Sequence, residues 1–298
     1  MSEVQYHVHL KKGDVGRYVL LPGAKRPCGT LHAQLKTHKT VPMRCTHAGD
    51  PARSKKIAEF FDDAKLVASN REFTTYTGTL LGEKVSVTST GIGCPSTAIA
   101  VEELIKCGAD TFIRVGTSGG MQPETKTGDV AVVTGAIRDE GTSRAYLPLE
   151  FPAVADPDVV YHMRQAAEHL EIPHRTGVTH SKDSFFGETE KERMPMAEEL
   201  TRKWEHYCTG GAICSEMESS TIFVLASIHR KRAGACNTMM AKDAHLPKDS
   251  AELALFKGDR AIRVAIEAIK RLIKHDAKRA AEGEPCPIPP TNKRSRKA

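Results

Sequence analysis

Long apolar runs are absent from the sequence. No stretch of about 18 consecutive apolar residues occurs, so no membrane-spanning helix is predicted. The amino-terminal residues MSEVQYHVHLKKGD are polar and lack the apolar segment that a secretory signal requires. Neither a membrane protein nor a secreted protein is therefore predicted, and we expect a cytoplasmic one.

Paired cysteines are absent as well. None of the eight cysteines belongs to a CxxC pair, and Cys107 and Cys236 stand among apolar residues. This usage is typical of free thiols in a reducing compartment. A mixed cluster near the amino terminus consists of Cys28, His32, His38, Cys45 and His47. Because its spacing fits none of the usual zinc-ligand patterns, no zinc site is expected.

The sequence also lacks basic residues spread over its whole length. The net charge is +6, but much of it comes from residues 25–47 and from the tail NKRSRKA. Nucleic acid is therefore not an expected partner, since nucleic-acid-binding domains carry basic residues over a face of the fold. What is present is an apolar fraction of 40% in 298 residues, which is enough for a large globular core.

Predicted strands and helices alternate along the chain. The predicted strands are GRYVLLPG, EFTTYTGTLL, EKVSVTST, TFIRVGT, VAVVTGAI, HRTGVTHS and AGACNTMM. The predicted helices are SKKIAEFFDD, PSTAIAVEELIKCG, DVVYHMRQAAEHL, MAEELTRKWEHYC, SSTIFVLASIHR and a last one with Ile262, Ile266, Ile269 and Ile273 on one face. This alternation predicts an α/β fold with helices packed on a central sheet. We assign residues 1–276 to one domain, with an unusual basic insertion at 24–48 and a disordered basic tail at 277–298.

An arginine stands inside one of the predicted buried strands. In the stretch TFIRVGTSGG, Arg114 follows three residues of a buried strand and precedes a run of Gly, Thr and Ser. A guanidinium group keeps its charge, so it needs an anionic partner or water. The sequence leaves two alternatives open at this point, a salt bridge to a carboxylate elsewhere in the fold or an anion site at the end of the strand.

A glycine-rich turn connects a predicted strand with a predicted helix. In TSTGIGCPSTA, the spacing of Gly91 and Gly93 is close to a dinucleotide-binding fingerprint. That fingerprint requires a carboxylate about 20 residues later for the ribose, where this chain has Arg114 and Thr117. No nicotinamide cofactor is therefore expected, and the glycines indicate a tight turn with close approach of the backbone.

Three arginines stand at turns or strand ends. Arg53 lies in the turn GDPAR, Arg71 precedes a strand in SNREFTTY, and Arg114 ends its own strand. Together with Thr117 they form a candidate phosphate site, because guanidinium forks match phosphate oxygens.

The motif SEMESS places two carboxylates at the start of a helix. Glu216 and Glu218 are either ordinary helix-terminal charges or, since an ionised carboxylate accepts two hydroxyl donors, a group that binds a ribose diol.

Five motifs follow one another in a recognisable order: STGIGCPSTAIAVEEL, RVGTSGG, PLEFPAVAD, GVTHSKDSFFGE and SEMESS. Together they resemble the nucleoside phosphorylases of the uridine phosphorylase type. The resemblance implies a three-layer α/β/α sandwich around a mixed, distorted sheet. It also implies a pentosyltransferase that needs no cofactor and uses phosphate as co-substrate. Such an enzyme converts uridine or deoxyuridine to uracil and (deoxy)ribose 1-phosphate in pyrimidine salvage, as a homodimer or a hexamer built from dimers.

The resemblance also implies roles for individual residues. For the phosphate site these are Gly49, Arg53, Arg114 and Thr117, with Arg71 supplied by a neighbouring subunit. For the ribose they are Met217 and Glu218, with His7 from the neighbour, and for the base Phe185, Glu188, Arg193 and Glu216. The expected catalytic residues are Arg53, Arg114 and Glu218. A monovalent cation, K⁺, is expected between paired subunits at Glu72, Ile92 and Ser96.

The chain departs from the family pattern at the phosphate turn. The basic segment 24–48 separates the strand end Pro22-Gly23 from Gly49-Asp50-Pro51, which in the family follow the strand directly. We favour a retained intron or a gene-model error over a functional module, because the segment has no periodicity of its own. If the segment displaces Gly49, the chain is a non-catalytic relative that binds nucleosides without turnover, since phosphate geometry tolerates little displacement.

Two departures concern the base. Glu188 stands where the uridine-specific members carry a glutamine, and a carboxylate accepts hydrogen bonds but does not donate them. The strand AGACNTMM leads into Lys242-Asp243, where the uridine enzymes have an arginine. Asp243 either caps a turn or acts as the general acid that purine-cleaving relatives use on N7. Purine nucleoside phosphorylase is therefore the alternative to uridine phosphorylase.

Overall fold

The computed structural model describes residues 3–23, 51–242, 251, 254–255 and 259–283. The predicted insertion at 24–48, the phosphate residue Gly49 and the alternative general acid Asp243 lie outside the described residues. Within the described ranges, no helix is both long and apolar enough to cross a membrane.

Ten strands and seven α-helices make up the described part of the chain. The strands are β1 (Tyr18–Pro22), β2 (Asp62–Asn70), β3 (Phe73–Leu80), β4 (Glu83–Thr88), β5 (Thr111–Gly120), β6 (Val130–Asp139), β7 (Ala153–Val154), β8 (His174–Lys182), β9 (Cys214–Glu216) and β10 (Arg232–Met240). The helices are α1 (Pro51–Ala58), α2 (Cys94–Cys107), α3 (Pro157–His169), α4 (Phe186–Thr189), α5 (Ala197–Thr209), α6 (Ser219–Ile228) and α7 (Arg260–Ala281). Two short 3-10 turns cover Ser143–Ala145 and Lys191–Arg193. Every strand and helix predicted from the sequence has its counterpart here.

All ten strands belong to one mixed sheet. Its order is β10-β6-β8-β9-β5-β1-β4-β3-β2, with β7 paired to β6 and an additional pairing of β10 with β5. Because β10 pairs with both β6 and β5, the strands β5, β10, β6, β8 and β9 close into a ring. The pairings of β1 with β4 and β5 are parallel, whereas β10 with β6 and β5 with β9 are antiparallel. The predicted mixed and distorted sheet is confirmed.

Helices cover both faces of the sheet. Tyr18 and Leu20 of β1 pack in one core with α1, α3 and α7, and Val19 and Leu21 pack in a second core with α2 and α6. This alternation is expected of a strand with both faces buried, because successive side chains point to opposite faces. The predicted three-layer α/β/α architecture is therefore confirmed.

The last helix differs from the prediction at its end. The predicted stripe of Ile262, Ile266, Ile269 and Ile273 is buried, but α7 continues to Ala281, beyond the predicted domain boundary at residue 276. Residues 277–281, AKRAA, are all good helix formers, so the helix does not end where its apolar stripe ends.

Candidate active site

Arg114 lies in the middle of a buried cluster of charges. Its side chain on β5 is 4% exposed, its Nε donates to Oε2 of Glu216 over 2.7 Å, and its Nη2 lies 2.5 Å from Oε2 of Glu218. Burial by itself would lower the pKa of Arg114, but the neighbouring carboxylates of Glu218 and Glu216 outweigh this effect and raise it. The salt-bridge alternative is therefore realised, and its carboxylates are the two residues that SEMESS supplies.

Glu216 is held by four donors. Its Oε2 accepts from Arg114 and from the backbone N–H groups of Glu218 and Ser219, both over 2.9 Å, and its Oε1 accepts from the hydroxyl of Ser181. Burial opposes ionisation of Glu216, but Arg114 and these hydrogen bonds outweigh it and lower its pKa. Its carboxylate thus fixes β5, β8 and the start of α6 relative to one another.

Glu218 connects the same cluster to the glycine-rich turn. Its Oε1 accepts from the backbone N–H of Gly93 over 2.7 Å, and Gly93 has a φ of 89°. Burial raises the pKa of Glu218, with a further contribution from Glu216, although Arg114 acts in the opposite direction. The positive φ of Gly93 agrees with the predicted tight turn, whereas a Cβ there would have no contact closer than 3.8 Å. The adjacent Met217 accepts a 3.2 Å hydrogen bond from the Cys94 thiol through its backbone carbonyl.

The remaining members of the predicted phosphate site are distributed over two elements. Thr117 lies on β5, three residues beyond Arg114, where it pairs with Thr238 of β10. Arg53 lies in α1 and is half-buried. Thr117 therefore shares a strand with Arg114, whereas the convergence of Arg53 on Arg114 stays a prediction.

The residues predicted to serve a neighbouring subunit come together in one place. His7 Nδ1 lies 2.7 Å from Oε1 of Glu103, and its backbone carbonyl accepts a 2.8 Å hydrogen bond from Asn70. Arg71, next to Asn70, lies 5.8 Å from the ring centroid of Tyr6. Arg71 has a φ of 52°, a conformation that costs energy in a residue with a side chain. Hence His7 and Arg71 belong to one surface cluster.

Two of the three residues predicted to bind a cation, Glu72 and Ser96, are adjacent in the structure. The hydroxyl of Ser96 donates to Oε1 of Glu72 over 2.6 Å. A Cβ at Gly91, whose φ is 74°, would lie 2.8 Å from Ser96 Oγ and 2.9 Å from Glu72 Cγ, so only glycine fits there. The side chain of Ile92 is exposed. No group of three His, Cys, Asp or Glu side chains within the described ranges forms a metal site, and the monovalent cation at Glu72, Ile92 and Ser96 stays a prediction.

Phe185 and Arg193, two of the predicted base residues, lie near α4. Phe185 stands edge-on to Phe186 at 5.5 Å between ring centroids. Arg193 is 63% exposed, forms an ion pair with Glu190 and lies over the Phe186 ring. The structure does not bring Arg193 to Glu188.

Glu188 has a different cationic partner, which sequence reasoning missed. Its Oε2 lies 2.6 Å from Nζ of Lys182 and accepts a 2.5 Å hydrogen bond from Ser215. Lys182 is the last residue of β8, in the motif GVTHSKDSFFGE. The only sequence signal for this lysine is that it ends a predicted strand close to Phe185.

A cavity of about 200 Å³ adjoins the Lys182–Glu188 pair. Within it, His180 Nε2 lies 3.1 Å from Oδ2 of Asp139, and Lys203 Nζ lies 2.5 Å from Oδ1 of the same carboxylate. Burial opposes the ionisation of Asp139, but the hydrogen bonds from His180 and Lys203 outweigh it and lower its pKa to about 2. The cavity is therefore lined by fixed charges as well as by the rings of Trp204 and Tyr207.

Comparison with known proteins agrees with this geometry. Residues 45–274 match the family described as "Phosphorylase superfamily". The chain is 45% identical to a uridine phosphorylase of Treponema pallidum, over 93% of this chain and 98% of that protein. It is 38% identical to a uridine phosphorylase of Thermococcus kodakarensis, over 94% and 91% of the two chains. It is also 38% identical to a guanosine phosphorylase of Halorubrum lacusprofundi, over 75% and 91%. The chain therefore belongs to the phosphorylase superfamily and, within it, to the uridine phosphorylase type.

Proposed function

We propose that this protein catalyses the reversible phosphorolysis of uridine, and of deoxyuridine, to uracil and (deoxy)ribose 1-phosphate. The observation that carries the proposal is the buried cluster of Arg114, Glu216 and Glu218 at one end of the sheet, in a chain with 45% identity to a uridine phosphorylase. Such an enzyme is a pentosyltransferase of pyrimidine salvage. Its five described cysteines form no disulfide, which supports a reducing, cytoplasmic location.

The proposed reaction exchanges one bond at the sugar for another. A phosphate oxygen forms a bond to C1′ while the bond from C1′ to N1 of uracil breaks, and its electron pair remains on the base. Positive charge develops on the sugar during this step, so phosphate must be held below C1′ before the bond breaks. Arg114 suits this task because Glu216 and Glu218 hold its guanidinium in one orientation, and a guanidinium has further N–H donors for an anion.

The proposed roles of the other residues come from the resemblance to the uridine phosphorylase type. Gly49, Arg53 and Thr117 complete the phosphate site, and Met217 and Glu218 bind the ribose. The Glu218 carboxylate can accept both ribose hydroxyls. We assign the 5′-hydroxyl to His7 and one phosphate contact to Arg71, each supplied by a neighbouring subunit. The common position of His7 and Arg71 on one surface supports a homodimer, or a hexamer built from dimers.

The proposal includes one K⁺ ion between paired subunits. Glu72 and Ser96 would supply oxygen ligands to it, with Ile92 beside them, and the ion would join the two subunits rather than take part in the chemistry. The 2.6 Å hydrogen bond between Ser96 and Glu72 places two of these oxygens side by side.

A substrate panel tests the proposed function. Purified protein is incubated with uridine, inosine or cytidine, with and without phosphate, and free bases are quantified by chromatography. We expect uracil release that depends on phosphate and yields ribose 1-phosphate. Preferred cleavage of inosine would show instead that the protein is a purine nucleoside phosphorylase. Uracil release without phosphate would indicate a hydrolase, and tight binding without products would indicate a non-catalytic relative.

A further inference from the structure

The loop that carries His7 is held by one carboxylate. Oε2 of Glu103, on the third turn of α2, accepts from the backbone N–H of Val8 over 2.8 Å and from that of His7 over 3.0 Å. Oε1 of Glu103 lies 2.7 Å from Nδ1 of the His7 ring. Glu103 is buried, whereas the His7 side chain is 29% exposed. A buried carboxylate is costly unless it is hydrogen-bonded, and here the N–H groups of one short segment supply the donors.

Other contacts hold the backbone of the same loop. Val8 and Leu10 are fully buried in the core that contains α2. Nδ2 of Asn70, at the end of β2, donates to the His7 carbonyl over 2.8 Å. The backbone is therefore anchored without the imidazole ring, so the contact between this ring and Glu103 has a separate effect.

That effect concerns the protons of the imidazole ring. A neutral histidine carries one proton, on Nδ1 or on Nε2, and the hydrogen bond at one nitrogen decides which of the two is protonated. An ionised carboxylate accepts hydrogen bonds but does not donate them, so Glu103 requires the proton of His7 on Nδ1. Nε2 is then an acceptor, and none of the described residues occupies it with a hydrogen bond.

An acceptor of this kind matches a hydroxyl group. Under the proposed function, His7 faces the 5′-hydroxyl of a nucleoside bound by the neighbouring subunit. Nε2 would accept the proton of that hydroxyl, whereas a 5′-deoxynucleoside would leave this nitrogen unpaired. A site that is built to hydrogen-bond a substrate hydroxyl discriminates against the analogue that lacks it.

We propose that Glu103 is a positioning residue for the 5′ end of the nucleoside. This inference rests on the proposed function. Glu103 holds His7 as the Nδ1–H tautomer and thereby presents Nε2 as an acceptor to the neighbouring site, without touching the substrate itself. The same helix begins beside Gly93, whose N–H Glu218 accepts. α2 therefore connects the ribose site of its own chain with the site that its His7 serves.

The test compares uridine with 5′-deoxyuridine as substrates of wild type and of Glu103→Gln. An amide keeps the shape of the carboxylate but also donates, so it allows the other tautomer of His7. We expect the variant to lose about threefold to tenfold in kcat/KM on uridine, which corresponds to one hydrogen bond, and less than about twofold on 5′-deoxyuridine. A glutamate that only stabilised the fold would lower the rates on both substrates equally.

Glu102→Gln is the matched control. Glu102 directly precedes Glu103 on α2 but pairs with His229 over 3.1 Å, so both rates should remain those of wild type. A double variant, His7→Ala with Glu103→Gln, should prefer uridine no less than His7→Ala alone, because the two residues act as one unit. Equal losses on the two substrates in Glu103→Gln would overturn the inference while leaving the proposed function intact. A wild-type protein that releases no uracil would overturn both.

A second measurement needs no variant at Glu103. In protein labelled with ¹⁵N-histidine, the chemical shifts of the two ring nitrogens show which of them carries the proton, and His7→Gln identifies the signals of His7. At about pH 8.5, where an ordinary histidine is neutral, we expect a protonated Nδ1 and an unprotonated Nε2. The opposite assignment would overturn the inference, even if Glu103→Gln failed to fold.

Discussion

At the scale of single residues, the site depends on how one guanidinium is held. Glu216 and Glu218 contact Nε and Nη2 of Arg114 from positions over a hundred residues away in the chain. An arginine fork is planar and makes paired contacts, whereas a lysine ammonium is a point charge. The orientation of the fork, and not only its charge, is therefore what the two carboxylates provide.

Arg114→Lys tests the orientation of this fork. The variant keeps the charge that Glu216 and Glu218 require, so we expect it to fold, as measured by thermal unfolding. Its kcat/KM for uridine should fall at least about tenfold, because paired contacts to phosphate are lost. Arg164→Lys, a change at an exposed arginine on α3, is the control and should retain wild-type activity. A fully active Arg114→Lys protein would refute the assigned role.

Gly116→Ala tests the space next to the guanidinium. A Cβ at this position would lie 2.5 Å from Oδ1 of Asn237 and 2.8 Å from Nη2 of Arg114. Because both contacts are too short, the side chains must move, and we expect activity to fall by more than stability does. The double variant Gly116→Ala with Asn237→Ala relieves only the first contact. It should regain thermal stability but not activity, and recovery of both would show that Arg114 had not been displaced.

At the scale of elements, charges join strands that are distant in the chain. Asp139 ends β6, His180 lies near the end of β8, and Lys203 lies on α5, yet the three side chains form one group.

The burial pattern of β2 explains why this strand was not predicted from the sequence. Its residues DDAKLVASN are mostly exposed and do not alternate, since it is an edge strand that pairs, among the described strands, only with β3.

Asp139→Asn tests the ionic connection between these elements. Because the pKa of Asp139 falls from 3.8 to about 2 on folding, its contribution to stability is complete above pH 3.8 and is lost as the pH falls towards 2. The free energy of unfolding of wild type, measured with urea, should therefore decrease more steeply over this range than that of the variant. Identical slopes for the two proteins would show that Asp139 is not paired in the folded state.

At the scale of the whole molecule, two distant segments of the chain form one surface cluster. His7, Asn70 and Arg71 lie together, although His7 belongs to the amino-terminal segment and Arg71 to the turn between β2 and β3. Two segments that are distant in the chain thus present polar groups at one surface. Under the proposed function this surface completes the site of a second copy.

Mixing two inactive variants tests this arrangement. Arg71→Ala and Arg114→Ala should each lose most of the activity on uridine. If Arg71 serves the neighbouring site, unfolding and refolding the two variants together should restore part of the activity, because some mixed dimers contain one site with both arginines. Refolding each variant alone is the control. A mixture no more active than its components would place both arginines in the site of a single chain.

Most individual helices and strands, and several of their limits, could be predicted from the sequence. Apolar periodicity identified α7, and the glycines at 91, 93 and 108 marked the limits of α2, because a helix boundary depends on neighbouring residues. The presence of Arg114 in a buried strand already indicated an anionic partner. The order of the motifs indicated the family, and membership of that family implies the reaction.

Only the tertiary structure decided which charges meet. Arg114 with Glu216 and Glu218, and the ring formed by β10 between β5 and β6, join residues that are far apart in sequence. The pairing of Glu188 with Lys182 instead of Arg193 is a choice between two nearby cations that the fold of the β8–α4 segment makes. Local patterns specify the conformation of a segment and which of its faces is buried. The partner of a buried charge depends instead on which strand ends converge, and the packing of the whole sheet determines that.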